Sequence, residues 1–126
     1  MEKTVLQTPH APSPIGPYSQ AIQANNLVFI SGQIAIDPAT DQMIKGDIVE
    51  ETHRVMQNLK AILAAAGMDF QHVVKTTIFI LDMQDFSAVN EVYGKYFQES
   101  FPARETVQVA GLPRGARVEI AMIAAK

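Results

Sequence analysis

The sequence contains no cysteine among its 126 residues. Disulfides, thiolate metal sites and a cysteine nucleophile are therefore excluded, and the absence fits a reducing cytoplasm. A block of lysines or arginines is also missing. Ten basic residues are scattered against thirteen acidic ones, for a formal net charge of -3. Nucleic-acid binding leaves a basic stripe, so no nucleic-acid partner is expected. No stretch approaches the roughly 20 apolar residues that span a bilayer. The opening MEKTVLQTPHAP lacks the apolar run of a signal peptide. The expectation is a soluble, cytoplasmic protein with no membrane partner. His10, His53 and His72 match no ligand spacing, and neither a phosphate loop nor a G-x-S-x-G elbow occurs. Neither a metal nor a cofactor is expected.

What is present is a chain that is 48% apolar, enough for a packed core in one domain spanning residues 1–126. Prolines at 9, 12, 14 and 17 predict an extended, irregular start that drapes over a sheet or a neighbouring chain. Leu27 to Ser31 reads as a buried strand that continues from Gln33 to Ile36 past a kink at Gly32, and Asp37 to Asp41 as a turn. Asp47 to Ala66 carries an apolar face that includes Val49, Val55, Leu59 and Ile62. Asp47 and Glu50 suggest a capped start, and Gly67 a left-handed stop.

Val73 to Leu81 reads as a strand, with Val74, Thr76, Ile78 and Ile80 on one face. Asp85 to Glu99 reads as a second helix with Phe86, Val89, Tyr93, Tyr96 and Phe97 inward. Gly94 inside it suggests a close helix–sheet contact. Thr106 to Ala110 and Arg117 to Ala124 are the last predicted strands. This order implies an α+β layer with both helices on one face of a mixed sheet. The other face is left apolar and bare in a single chain, which favours self-association.

Few side chains suggest chemistry. Arg104 stands at a strand entrance. It can hold a carboxylate in its planar fork or form a surface ion pair with Glu105. Glu119 lies mid-strand, either on a solvent face or in a polar site. Ser31-Gly32 is a weak nucleophile signal and reads more readily as a strand end whose backbone makes a turn. Asn90 borders the apolar stripe of the second helix, and Tyr18 follows the Ile15-Gly16-Pro17 turn.

Six segments, in this order and spacing, resemble the signature blocks of the RidA/YjgF deaminase family. They are Ile15 to Gln20, Phe29 to Gln33, Val74 to Thr77, Phe86 to Asn90, Phe101-Pro102-Ala103-Arg104 and Arg117 to Ile120. The resemblance covers nearly the whole chain. It implies a chorismate-mutase-like fold and a homotrimer with three clefts between subunits. It also implies cofactor-free hydrolysis of 2-imino acids, such as 2-iminobutanoate and 2-iminopropanoate, to 2-keto acids and ammonia. Carried onto this chain, Arg104 would bind the substrate carboxylate and Glu119 would orient the attacking water. Tyr18, Ser31, Gly32, Asn90 and Thr106 would line the cleft. Two positions depart from the family pattern. Thr106 stands where cysteine is common, and Ala121 where a second acidic residue often stands. The alternatives are an endoribonuclease and a non-catalytic trimer that binds small carboxylates.

Overall fold

A computed structural model describes residues 2–126. Its centre is a six-stranded sheet built from β1 (Lys3–Leu6), β2 (Ala21–Ala24), β3 (Leu27–Gln33), β8 (Val118–Ala125), β6 (Val73–Ile80) and β7 (Ala103–Gln108), in that spatial order. β6 and β7 run parallel and every other neighbouring pair antiparallel. Two short strands, β4 (Ile36–Asp37) and β5 (Gln42–Met43), form a separate hairpin around the predicted turn. Its Asp41 takes a positive φ.

Both helices cover one face of the sheet. α1 (Ile48–Ala65) buries Val55, Met56, Leu59, Ile62 and Leu63 against the inward residues of β3 and β8. Burying each such side chain contributes about 1.5–3 kcal/mol. Asp47 accepts a hydrogen bond from the Glu50 amide at 2.9 Å, and Gly67 stops the helix at φ +70°. Val49 is 39% exposed instead of facing the core. The buried face of α1 includes two polar residues that tie it to other elements. Asn58 donates to the carbonyls of Ile34 and Ile36 at 3.1 and 3.0 Å. Glu51 accepts from the amide and Nε of Arg117, both at 2.7 Å.

α2 (Phe86–Gly94) is shorter than its predicted span. Tyr96 and Phe97 follow it in tight turns whose amides bond to Tyr93 and Gly94. Phe97 still packs against Phe70 and Tyr93. Nothing lies within 4 Å of the space a Cβ on Gly94 would fill, so the expected close contact with the sheet is not made there. In β6 the register against β8 shifts between Val73 and Lys75. That shift places Val73 in the core and leaves Val74 exposed.

The N-terminal segment is more ordered than its prolines suggest. β1 and β2 pair across it, and buried Gln20 holds the intervening loop. Its side chain accepts from the Thr8 amide at 2.8 Å and donates to the carbonyls of Thr8, Ala11 and Pro12. The sheet face away from the helices carries an apolar row in which Val5, Ile22, Phe29 and Ile123 are successive cross-strand neighbours. Val5 and Phe29 are 57% and 41% exposed. Among the described residues, no helix is long and apolar enough to cross a membrane.

Candidate functional site

Alternation along β7 and β8 decides where the candidate residues point, since successive strand residues face opposite sides. On β7, Arg104 pairs with buried Thr76 and Thr106 pairs with buried Ile78. Both therefore face the helices. On β8, Glu119 lies between buried Val118 and Ile120 and pairs with Phe79. It faces the bare side. Within one chain the arginine and the glutamate stand on opposite faces of the sheet.

Arg104 is the second residue of β7 instead of preceding the strand. The parallel ladder with β6 starts at Ala103, three residues earlier than the apolar pattern predicts. Its guanidinium carbon lies 5.1 Å from the Tyr93 ring centroid and 5.9 Å from that of Phe86. These distances suit cation–π attraction. Glu105 does not pair with it. That carboxylate faces the other way and meets Lys75 at 3.2 Å and the Thr77 hydroxyl at 2.6 Å. Among the described residues, Arg104 has no carboxylate partner. It edges a groove of about 340 Å³ shared with Asn90, Tyr93, Gly94, Phe101 and Pro102. Tyr93 donates to the Thr76 hydroxyl at 3.0 Å, and burial pushes its phenol pKa up. The Thr106 hydroxyl oxygen is buried without a hydrogen-bond partner.

Glu119 lines a second pocket, of about 350 Å³, with Tyr18, Ser31, Gly32, Gln33, Pro12 and Pro113 among its walls. Burial raises the carboxyl pKa above its ordinary value, because a charged carboxylate is disfavoured out of water. Ser31 is no free nucleophile. Its hydroxyl donates to the Ser19 carbonyl at 2.6 Å, and its amide to Gln20 at 2.9 Å. Tyr18 is 49% exposed at the rim, and its hydroxyl accepts from the Ile15 amide at 3.3 Å. The chain thus gathers Tyr18, Ser31, Gly32 and Glu119 on one side, and Arg104 and Asn90 on the other.

Comparison with known proteins gives this arrangement a family. A family model described as Endoribonuclease L-PSP matches residues 8–126. The chain belongs to the RidA/YjgF family. Protein DfrA of Myxococcus xanthus is 56% identical over 126 residues, covering 98% of this chain and 96% of that protein. The 2-iminobutanoate/2-iminopropanoate deaminase of Mus musculus is 53% identical over 122 residues, covering 97% of this chain and 90% of that one. The structure of YyfA, a Yersinia pestis protein of the conserved Rid family, superposes with a TM-score of 0.96 at 48% identity, covering 99% and 100% of the two chains. A mixed sheet with two helices on one face is therefore the RidA/YjgF fold as well as this chain's.

Sequence reasoning missed two polar residues that shape the site from behind. Glu51 fixes the start of β8 by accepting from the backbone of Arg117 and Val118. Gln20 fixes the loop that supplies Pro12 to the Glu119 pocket. The helical pattern gave a weak signal for Glu51, an acid on the same face as Val55 and Asn58. Gln20 stood within a quoted RidA/YjgF block without any role assigned to it.

Proposed function

We propose that this chain is a cofactor-free deaminase that hydrolyses 2-imino acids, 2-iminobutanoate and 2-iminopropanoate among them, to 2-keto acids and ammonia in the cytoplasm. The observation that carries the reading is an uncommitted arginine, held by two aromatic faces at the edge of an open groove. A guanidinium without a carboxylate partner is suited to an anionic substrate. The named activity of the mouse relative supports the substrate class.

The mechanism needs two copies. Arg104 and Glu119 face opposite sides of one sheet, so a site using both is assembled between protomers. The apolar row on the bare face supplies the surface to bury. A closed homotrimer of the single 1–126 domain, with three such clefts, satisfies both requirements. Arg104 of one protomer fixes the substrate carboxylate beside Asn90, with Thr106 next along the strand. Across the interface Glu119 holds a water against the imine carbon and takes its proton, in a wall formed by Tyr18, Ser31 and Gly32. Addition gives a tetrahedral carbinolamine. Proton transfer to nitrogen then lets ammonia leave and restores a carbonyl.

The nuclease reading attached to the family model's name has less to work with. His53 bonds the Tyr96 hydroxyl at 2.8 Å, and His72 closes a cap with Asp69. The deciding experiment releases 2-iminobutanoate from an amino-acid oxidase or dehydratase and times its loss with and without the protein. Acceleration is expected, together with a light-scattering mass near three times the 13.8 kDa chain. Unchanged imine decay, or a stable monomer at micromolar concentration, overturns the reading.

A further inference from the structure

β3 carries glycine at a position where its backbone does not require one. Positive φ among the described glycines is confined to Gly67 and Gly115, so Gly32 adopts a conformation open to other residues. Packing explains the choice. A Cβ built on Gly32 would lie 2.7 Å from Cδ and 2.9 Å from Cγ of Glu119, and closer still to its Oε2. The register between β3 and β8 shifts between Ile30 and Gln33, on either side of this glycine. The Glu119 side chain lies back across the gap, half-buried against the bare backbone.

We infer that Gly32 is a positioning residue for Glu119, and that the missing side chain is what lets the carboxylate settle into the pocket wall. The inference rests on the deaminase reading only for its effect on turnover. The contact itself stands apart from it. A methyl group at position 32 meets three consecutive atoms of one side chain, and that side chain can rotate away. The strand need not move. Gly32→Ala should therefore evict the carboxylate toward water with little loss of fold. The surroundings make the consequence readable. Among the residues of one chain that line the Glu119 pocket, Tyr18 is the only other titratable group, and the cation that faces the carboxylate in the proposed trimer is Arg104 across the interface. Within the chain burial holds the carboxyl pKa up, so eviction toward water removes that rise and lowers it.

The experiment compares the full-length parent, Gly32→Ala, Glu119→Gln and the double variant in the imine assay, and follows the Glu119 carboxyl carbon by NMR titration. Gly32→Ala should turn over at least about tenfold more slowly, since small misplacements of a reacting group cost up to about a hundredfold. Its Glu119 midpoint should fall, and the rising limb of its pH–rate profile should move to lower pH. In the Glu119→Gln background the same substitution should cost nothing further, because both changes act through one carboxylate. Gly46→Ala is the matched control. A Cβ there meets Glu50 at 2.9–3.0 Å on the exposed surface, and turnover should stay at the parental level.

A parental Glu119 midpoint in Gly32→Ala overturns the inference. So does a full tenfold loss that persists in the Glu119→Gln background, which would assign Gly32 a contact of its own. An unfolded Gly32→Ala overturns it too, since the crowding would then fall on the strand. If Glu119→Gln alone retains parental turnover, the catalytic assignment of Glu119 fails instead, and the NMR midpoint by itself decides the role of Gly32.

Discussion

Two pairs of an acid and an arginine divide this molecule. Glu51 and Arg117 are committed to each other. Glu51 is 4% exposed and takes hydrogen bonds from the Arg117 side chain, the Arg117 amide and the Val118 amide, while Arg117 also donates to Gly46. Glu119 and Arg104 have no such engagement. The arginine rests on aromatic faces and the glutamate lies against a bare backbone. A buried charge with a full set of partners is fixed in the fold, because removing either partner leaves the other uncompensated. One kept partly out of water with its hydrogen-bonding capacity unused is available to something that is not part of the chain. The difference separates a structural clamp from a candidate site, and each half can be tested alone.

The largest expected effect belongs to Arg104. Arg104→Ala should cost at least about a thousandfold in kcat/KM on 2-imino acids, roughly 4 kcal/mol of transition-state stabilisation. Binding of small 2-keto acids in calorimetric titration should be lost with it. Stability should drop by no more than about 1 kcal/mol, the scale of an exposed cation–π contact. Arg104→Lys should recover little, since an ammonium keeps the charge without the two-point fork. A variant that hydrolysed imines at the parental rate would erase the distinction between the two arginines.

Glu119→Gln comes next. The amide keeps the size but cannot accept a proton at neutral pH, so kcat should fall by about a hundredfold or more while KM changes little. A parallel rise in KM would recast Glu119 as a binding group.

Sequence alone marked the uncommitted pair and missed the committed one, and the reason is physical. Glu119 sits mid-strand, where alternation sets it off the buried row of Val118 and Ile120, Arg104 stands at the entrance of a predicted strand, and family blocks surround both. Glu51 lies on a helix that begins with two acids in its first turn, a common N-terminal preference that the helix dipole explains. Its burial depends on Arg117, 66 residues away, and no local pattern carries that contact. The strands β3, β6 and β8 and the long helix were legible because their apolar periodicity is strong. β1 and β2 were hidden by short length and flanking prolines. The register shifts that expose Val74 and flank Gly32 belong to strand pairing, which only the assembled sheet sets. The opposite orientation of Arg104 and Glu119 was implicit in the alternation, but it required knowing that β7 joins β6 in parallel from Ala103 onward.

The committed pair predicts a change in stability without a change in chemistry. Glu51→Ala strips partners from two backbone amides and one guanidinium, and should destabilise the protein by about 3 kcal/mol. Denaturant unfolding at a fixed protein concentration reads this directly. At temperatures well below melting, kcat should remain near the parental value. A loss of turnover at full folding would show that the clamp also tunes the site.

The smallest effect is the most diagnostic of how Glu119 is held. Its carboxyl pKa is raised in the folded chain by burial. Between the ordinary carboxylate value and that raised value, the folded state binds more protons than the unfolded one. Stability must then fall as pH rises through this window. Below the window both states are protonated and the cost vanishes. Above it the full cost of keeping a charge partly out of water is present. Glu119→Gln carries no charge at any of these pH values. The variant should match the parent in acid and become slightly more stable than it as pH passes the raised pKa, with a constant gap beyond. Because Glu119 is only half-buried, solvent screening keeps that gap small. Melting temperatures of both proteins across the carboxylate range, in one buffer series at one ionic strength, measure it. A parent that instead gained stability relative to the variant as pH rose would mean that a cation or hydrogen-bond donor meets the carboxylate in the assembled protein. The proposed trimer supplies such a cation, Arg104 of the neighbouring protomer, so that outcome would place the arginine close enough to Glu119 to hold its charged form.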